Sequence, residues 1–119
     1  MAMSASCTIT NNTGSTIIIS AIGPINNDPG WSAPGAGQKF KNGESFTIYM
    51  GGESLPITPE AVGFNLTFVC QSHQQTGGIL FSDPAVGAHS FTYANTAIFD
   101  YSTQNPTGNS FSVEVSLAS

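Results

Sequence analysis

Charge is what this chain has least of. Its 119 residues carry two cations, Lys39 and Lys41, no arginine, and seven acids. So few ions cannot cover helix faces with pairs of opposite sign spaced one turn apart. Hydroxyl and amide side chains on strands and turns must supply the polar surface instead, as in small all-β proteins. Two lysines cannot neutralise a run of phosphates, which argues against nucleic acid as a partner. A net charge of −5 and a pI near 4.4 argue equally against attraction to anionic lipid. Any membrane contact would have to use neutral head groups and interfacial aromatics.

Long apolar runs are missing too. The stretch Ile17 to Ile19 is far too short to span a bilayer. Met1 to Ser6 has neither a basic segment nor an apolar one, so no signal peptide is recognisable. The expected location is cytoplasmic, or secreted without a classical signal peptide. Cysteine is scarce, with Cys7 and Cys70 alone. Two buried thiols are the expectation, because free cysteine is among the most buried residue types; a single disulfide is the alternative. Without a histidine pair nearby they do not make a zinc site.

What the sequence does have is alternation of period two, with no helical window. Ser6 to Thr10 and Ser15 to Ala21 flank the turn Asn11-Asn12-Thr13-Gly14 and read as an N-terminal hairpin. Gly23 to Gly37 reads as a loop, holding three prolines, four glycines and the chain's single tryptophan, Trp31. An Asn-Gly turn at Lys41 to Glu44 precedes Phe46, Ile48 and Met50, which alternate with polar neighbours. Phe64, Leu66, Phe68 and Cys70 define the clearest strand, followed by a polar loop, Gln71 to Gly78. Short strands are expected at Ile79–Phe81, His89–Tyr93 and Ala97–Tyr101, and Phe111, Val113, Val115 and Leu117 close the chain. About eight short strands at this spacing predict one domain over residues 1–119, a single antiparallel β-sandwich.

No constellation points to catalysis. His73 and His89 lie among many serines, but no strained nucleophile turn marks one serine out. Carboxylates such as Asp83 and Asp100 read as solvated turn acids, and the protein is not expected to be an enzyme or to need a cofactor. Asn26, Asn27 and Asp28 form an oxygen-rich stretch, yet Asn and Asp here are ordinary turn chemistry rather than metal ligands. The sequons at Asn11 and Asn65 read as chance in an Asn- and Thr-rich chain. Trp31 has two uses open to it: plugging one end of the sandwich, or binding at a surface. Tyr49, Tyr93 and Tyr101 alternate with core residues and suit either cross-strand pairing or an exposed aromatic face.

Ile9-Thr10-Asn11-Asn12-Thr13-Gly14 before a β-branched strand, the later Gly78-Ile79-Leu80-Phe81-Ser82-Asp83-Pro84-Ala85-Val86-Gly87, and Trp31 with its following proline together resemble the aegerolysin family. The likeness is greater to its bacterial members, the small components of two-part insecticidal toxins. It implies a β-sandwich that recognises a membrane lipid, typically a sphingolipid, and recruits a larger pore-forming protein. The positions matching the family are Trp31 and the turn from Asp83-Pro84 to Gly87. The chain departs from fungal members, which carry several tryptophans and more charge. The ligand-binding residues expected on this reading are Asn26, Asp28, Trp31, Tyr49, Asp83 and Tyr101. Two other functions fit the same composition: a carbohydrate-binding, lectin-like module and a self-assembling structural protein that forms homo-oligomers.

Overall fold

The computed structural model describes residues 2–26, 28, 30–54, 62–83 and 89–118. Nine strands run through them, with no helix among the described residues: β1 (Ala2–Asn12), β2 (Ile17–Pro24), β3 (Lys39–Phe40), β4 (Ser45–Ser54), β5 (Val62–Cys70), β6 (Gln75–Asp83), β7 (Ser90–Ala94), β8 (Phe99–Gln104) and β9 (Ser110–Leu117). They form two sheets, ordered β4-β1-β9-β8 and β3-β2-β5-β6-β7, packed as a sandwich.

The alternation read from the sequence is what fills the space between the sheets. Cys7 and Ile9 from β1, Ile48 from β4, and Val113 and Val115 from β9 face Phe64, Leu66, Phe68 and Cys70 from β5 and Phe81 from β6, all at 0% exposure. Phe68 meets Phe99 edge to face at 5.2 Å, tying the two sheets through aromatic contact. Both cysteines are free and buried, Cys7 in one sheet and Cys70 in the other.

Four features of the fold depart from the sequence reading. First, nine strands are described rather than about eight. Second, β1 and β9 pair in parallel, Ser6 to Asn12 against Ser110 to Ser116, while every other pairing is antiparallel. The two strands lie a whole chain apart and need no tight turn between them, so direction is unconstrained. Third, the N-terminal hairpin does not form: β1 belongs to one sheet and β2 to the other. The Asn11–Gly14 turn is a corner that crosses the sandwich, and the Asn-Gly turn before β4 crosses back beside it. Asn11, 1% exposed, fastens the two corners. Its Nδ2 donates to the carbonyls of Ser15 at 2.6 Å and Phe40 at 2.9 Å, while Oδ1 accepts from Thr13 N at 3.0 Å and Thr13 Oγ1 at 2.7 Å. A buried, fully engaged amide cannot carry a glycan, so the Asn11 sequon is structural. Fourth, half of the stretch expected as a polar loop is strand: Gln75 to Gly78 open β6, pairing with Thr67 to Cys70. Gly77 is needed there, because a Cβ would lie 2.5 Å from Phe68 Cζ and 2.7 Å from the Tyr101 hydroxyl.

Burial raises the Cys7 thiol from 9.0 to about 12, and also lifts the Tyr93 and Tyr101 phenols above 10.0. All three stay neutral in the fold at a pH where the unfolded chain would ionise them. The Cys7 contribution to stability is intact below its unfolded value of 9.0 and is lost as pH climbs toward about 12; that of the two tyrosines is lost as pH rises above 10.0. Urea unfolding is therefore expected to shift to lower concentration over that range, and less so in Cys7→Ser.

Candidate functional site

The tryptophan loop is laid against the outer edge of β4. Asp28 begins an Asx turn: its Oδ1 accepts from Gly30 N at 2.9 Å, and Trp31 N donates to the Asp28 carbonyl at 3.2 Å. The same carboxylate reaches the strand, taking Gly51 N at 3.0 Å on Oδ1 and 2.9 Å on Oδ2. Ser32 then exchanges backbone hydrogen bonds with Tyr49, 2.9 Å and 2.8 Å, as a one-residue extension of the sheet. Gly30 sits against the Gly51 carbonyl so closely that a Cβ would fall 1.3 Å from that oxygen. The loop thus covers part of an edge that would otherwise expose unpaired backbone.

Beside this docked loop lies an open cleft of about 330 Å³, lined by Ala5, Ser6, Gly30, Tyr49, Met50, Gly51 and Asn109. Ala5 and Met50 belong to the buried core and give it an apolar floor. Ser6 and Asn109 give it polar walls, and Asn109 is held by its carbonyl, which accepts from Ser6 N at 2.8 Å. Tyr49, 54% exposed, stands at its rim. Trp31 is half-buried and packs on the core with Ala33. Of the two uses its sequence left open, the packing one is seen: it covers the sandwich edge, next in sequence to Gly30 of the cleft wall.

Three of the six expected residues, Asp28, Trp31 and Tyr49, come together here. Asn26 precedes them on the same loop, exposed at the end of β2. Tyr101 does not join them, because β8 and β4 are opposite edges of their sheet. Its hydroxyl donates to the Ala94 carbonyl at 2.7 Å and accepts from Gly78 N at 3.2 Å, and its ring stacks on Tyr93 at 4.5 Å. Tyr93 in turn bonds Thr103. This pair closes one side of the sandwich between β7 and β8.

Asp83 ends β6 in the other sheet and pairs with His89, its Oδ1 3.2 Å from Nε2, while His89 Nδ1 lies 3.0 Å from the Pro106 carbonyl. The turn expected to continue through Pro84 to Gly87 lies outside the described residues. His73, at the opposite end of β6, has its Nδ1 2.7 Å from Ser72 Oγ and 3.8 Å from Cys70 Sγ. Among the described residues no three His, Cys, Asp or Glu side chains gather where they could hold a metal. The cleft residues missed by sequence reading are Ala5, Ser6, Gly30, Met50, Gly51 and Asn109. Only Gly30 left a signal, as part of Asp28-Pro29-Gly30.

No protein-family model matches the chain, and no curated protein sequence matches it. Among solved structures it is similar to the crystal structure of IP-1A from Alcaligenes faecalis. That likeness has a TM-score of 0.69 at 12% identity, over 98% of this chain and 91% of that one. It is a likeness of fold. Among the described residues no helix is long and apolar enough to cross a membrane.

Proposed function

We propose that the chain is an aegerolysin-like membrane-lipid recognition module, the targeting half of a two-component pore-forming or cytolytic system, and not an enzyme. The observation that carries this reading is the exposed Tyr49 ring over the cleft beside the docked tryptophan loop. Amphipathic rings at the rim of a cleft favour the membrane–water interface, where an apolar body and a polar tip are both solvated. The neighbourhood is poor in cations, which suits a neutral or zwitterionic head group of the sphingolipid type and disfavours anionic lipid. Ser6 and Asn109 would hydrogen-bond the head group and Ala5 and Met50 would underlie it, leaving the rest of the sandwich free for a larger pore-forming protein. The sandwich fold and the aegerolysin-like motifs are consistent with this assignment.

Co-sedimentation with vesicles containing sphingomyelin or its ethanolamine analogue, against phosphatidylcholine alone, tests it. Selective pelleting is expected, with Tyr49→Ser weakening it by on the order of tenfold or more. No pelleting with any lipid contradicts it. One observation favours a second reading, a saccharide ligand. The outer face beside Tyr49 carries hydroxyl pairs on adjacent strands, Ser6 with Ser110 at 3.3 Å, Thr8 with Thr47 at 3.0 Å and Thr10 with Ser45 at 2.8 Å. Glycan-array binding without vesicle binding would select it.

A further inference from the structure

Besides Tyr49, the one large apolar side chain left exposed among the described residues is Leu80, at 41%. It stands on the outer face of the other sheet, in the middle of β6. Two residues along the same strand and on the same face is Gly78, which leaves a hollow. The hollow measures about 190 Å³ and is walled by Asn65, Thr67, Thr76, Thr92 and Ala94 beside Leu80. A knob and a hole therefore lie about 7 Å apart along one strand.

We infer that this face is where two copies of the chain associate, face to face about a two-fold axis. Such an interface is self-complementary: what one copy presents, the other must accept. An axis in the interface plane, perpendicular to β6 and level with Ile79, brings Leu80 of each copy over the Gly78 hollow of the other. The cross-strand register extends the match. Leu80 lies beside Asn65 and Thr92, and Gly78 beside Thr67 and Ala94. The same rotation sets Thr92 over Ala94 of the second copy and Asn65 over Thr67. Every facing side chain in these rows is small or uncharged.

Charge selects this sheet over the other. At −5 the chain repels itself, so association needs a face without acids. The outer face of the β4-β1-β9-β8 sheet carries Glu114 and Asp100, opposite Ser102 and Ser116 in the strand pairing. The rows around Leu80 and Gly78 carry no charge. The area is adequate for a weak dimer. Four strands about 4.8 Å apart, the longer ones about 30 Å in length, offer roughly 500 Å² per copy and about 1,000 Å² in all. That is the lower end of specific interfaces, the range of weak, transient association.

Sedimentation velocity from about 5 µM to about 1 mM decides it. The wild-type chain is expected to pass from monomer to dimer. Leu80→Ser, which removes both knobs, and Thr92→Glu, which adds two carboxylates to the interface, are each expected to weaken association by at least about tenfold. Both positions are exposed, and an unchanged Tm verifies that the variants fold. Tyr49→Ser, on the other sheet, is expected to dimerise like wild type. A wild-type chain that stays monomeric at about 1 mM overturns the inference, as does dimerisation unaffected by both variants or abolished by Tyr49→Ser.

Discussion

Replacing Asn11 with alanine is expected to lower the unfolding free energy by about 3 kcal/mol, and Tm by on the order of 10 °C. The side chain is 1% exposed and makes four hydrogen bonds. Truncation removes the side-chain partner of the Phe40 carbonyl and of the Thr13 amide, where water does not readily replace it. Each such buried group left alone costs roughly 1–3 kcal/mol, more than the bond itself contributes when intact. The loss also uncouples the two corners: Gly43 N donates to the Asn11 carbonyl at 2.6 Å and Asn11 N to that of Glu44 at 2.9 Å, contacts the side chain holds in register. Asn11→Asp should be no better, since an oxygen would replace the amide nitrogen that now faces two carbonyl oxygens. Asn12→Ala is the internal control, because Asn12 is exposed and makes one long contact, 3.4 Å, to Glu114. Equilibrium urea unfolding of the three variants reads the difference. A cost under about 1 kcal/mol for Asn11→Ala would mean that the corner is held by other contacts.

Gly30→Ala is expected to abolish ligand binding at the cleft while leaving the sandwich folded. The added methyl would fall 1.3 Å from the Gly51 oxygen and 2.5 Å from its carbon, both backbone atoms of a paired strand that cannot yield. The loop must therefore swing off β4 and break the Asp28 contacts to Gly51. It takes Trp31 and one wall of the cleft with it. The core strands are untouched, so the stability cost stays near 1–2 kcal/mol, while vesicle affinity should drop by more than about tenfold. Gly35→Ala, on the same loop with open space around it, should change neither. Wild-type affinity in Gly30→Ala would remove the docked loop from the site.

The core was legible in the sequence because alternation on β5 and β9 is a direct imprint of one face buried and one solvated. Phe64, Leu66, Phe68, Phe111, Val113 and Val115 all lie where that pattern puts them. The corners were not legible. A polar Asn- and Gly-containing turn satisfies its local backbone equally well whether it returns the chain to the same sheet or sends it across the sandwich. The choice is made by Asn11 bonding Phe40, 29 residues away. The tryptophan loop could be read from its composition, but not its seat on β4, which depends on Asp28 reaching Gly51 across 23 residues. Tyr49 lies between the buried Ile48 and Met50 and so faces outward, whereas Tyr101 shares the inward face of buried Phe99 and packs on the core. Strand order adds that β4 and β8 are opposite edges, which sets one at the cleft and the other in the seam with Tyr93.

The most direct test of the account uses Trp31, the chain's single tryptophan, as the reporter beside the cleft. Its fluorescence would be titrated with sphingolipid vesicles carrying a brominated-chain quencher, for the wild-type chain and for Tyr49→Ser. Saturable quenching in the wild type and its loss in Tyr49→Ser is the predicted result. Vesicles that pellet with the protein yet leave Trp31 unquenched, or quenching that persists undiminished in Tyr49→Ser, would contradict the placement of lipid recognition at this cleft.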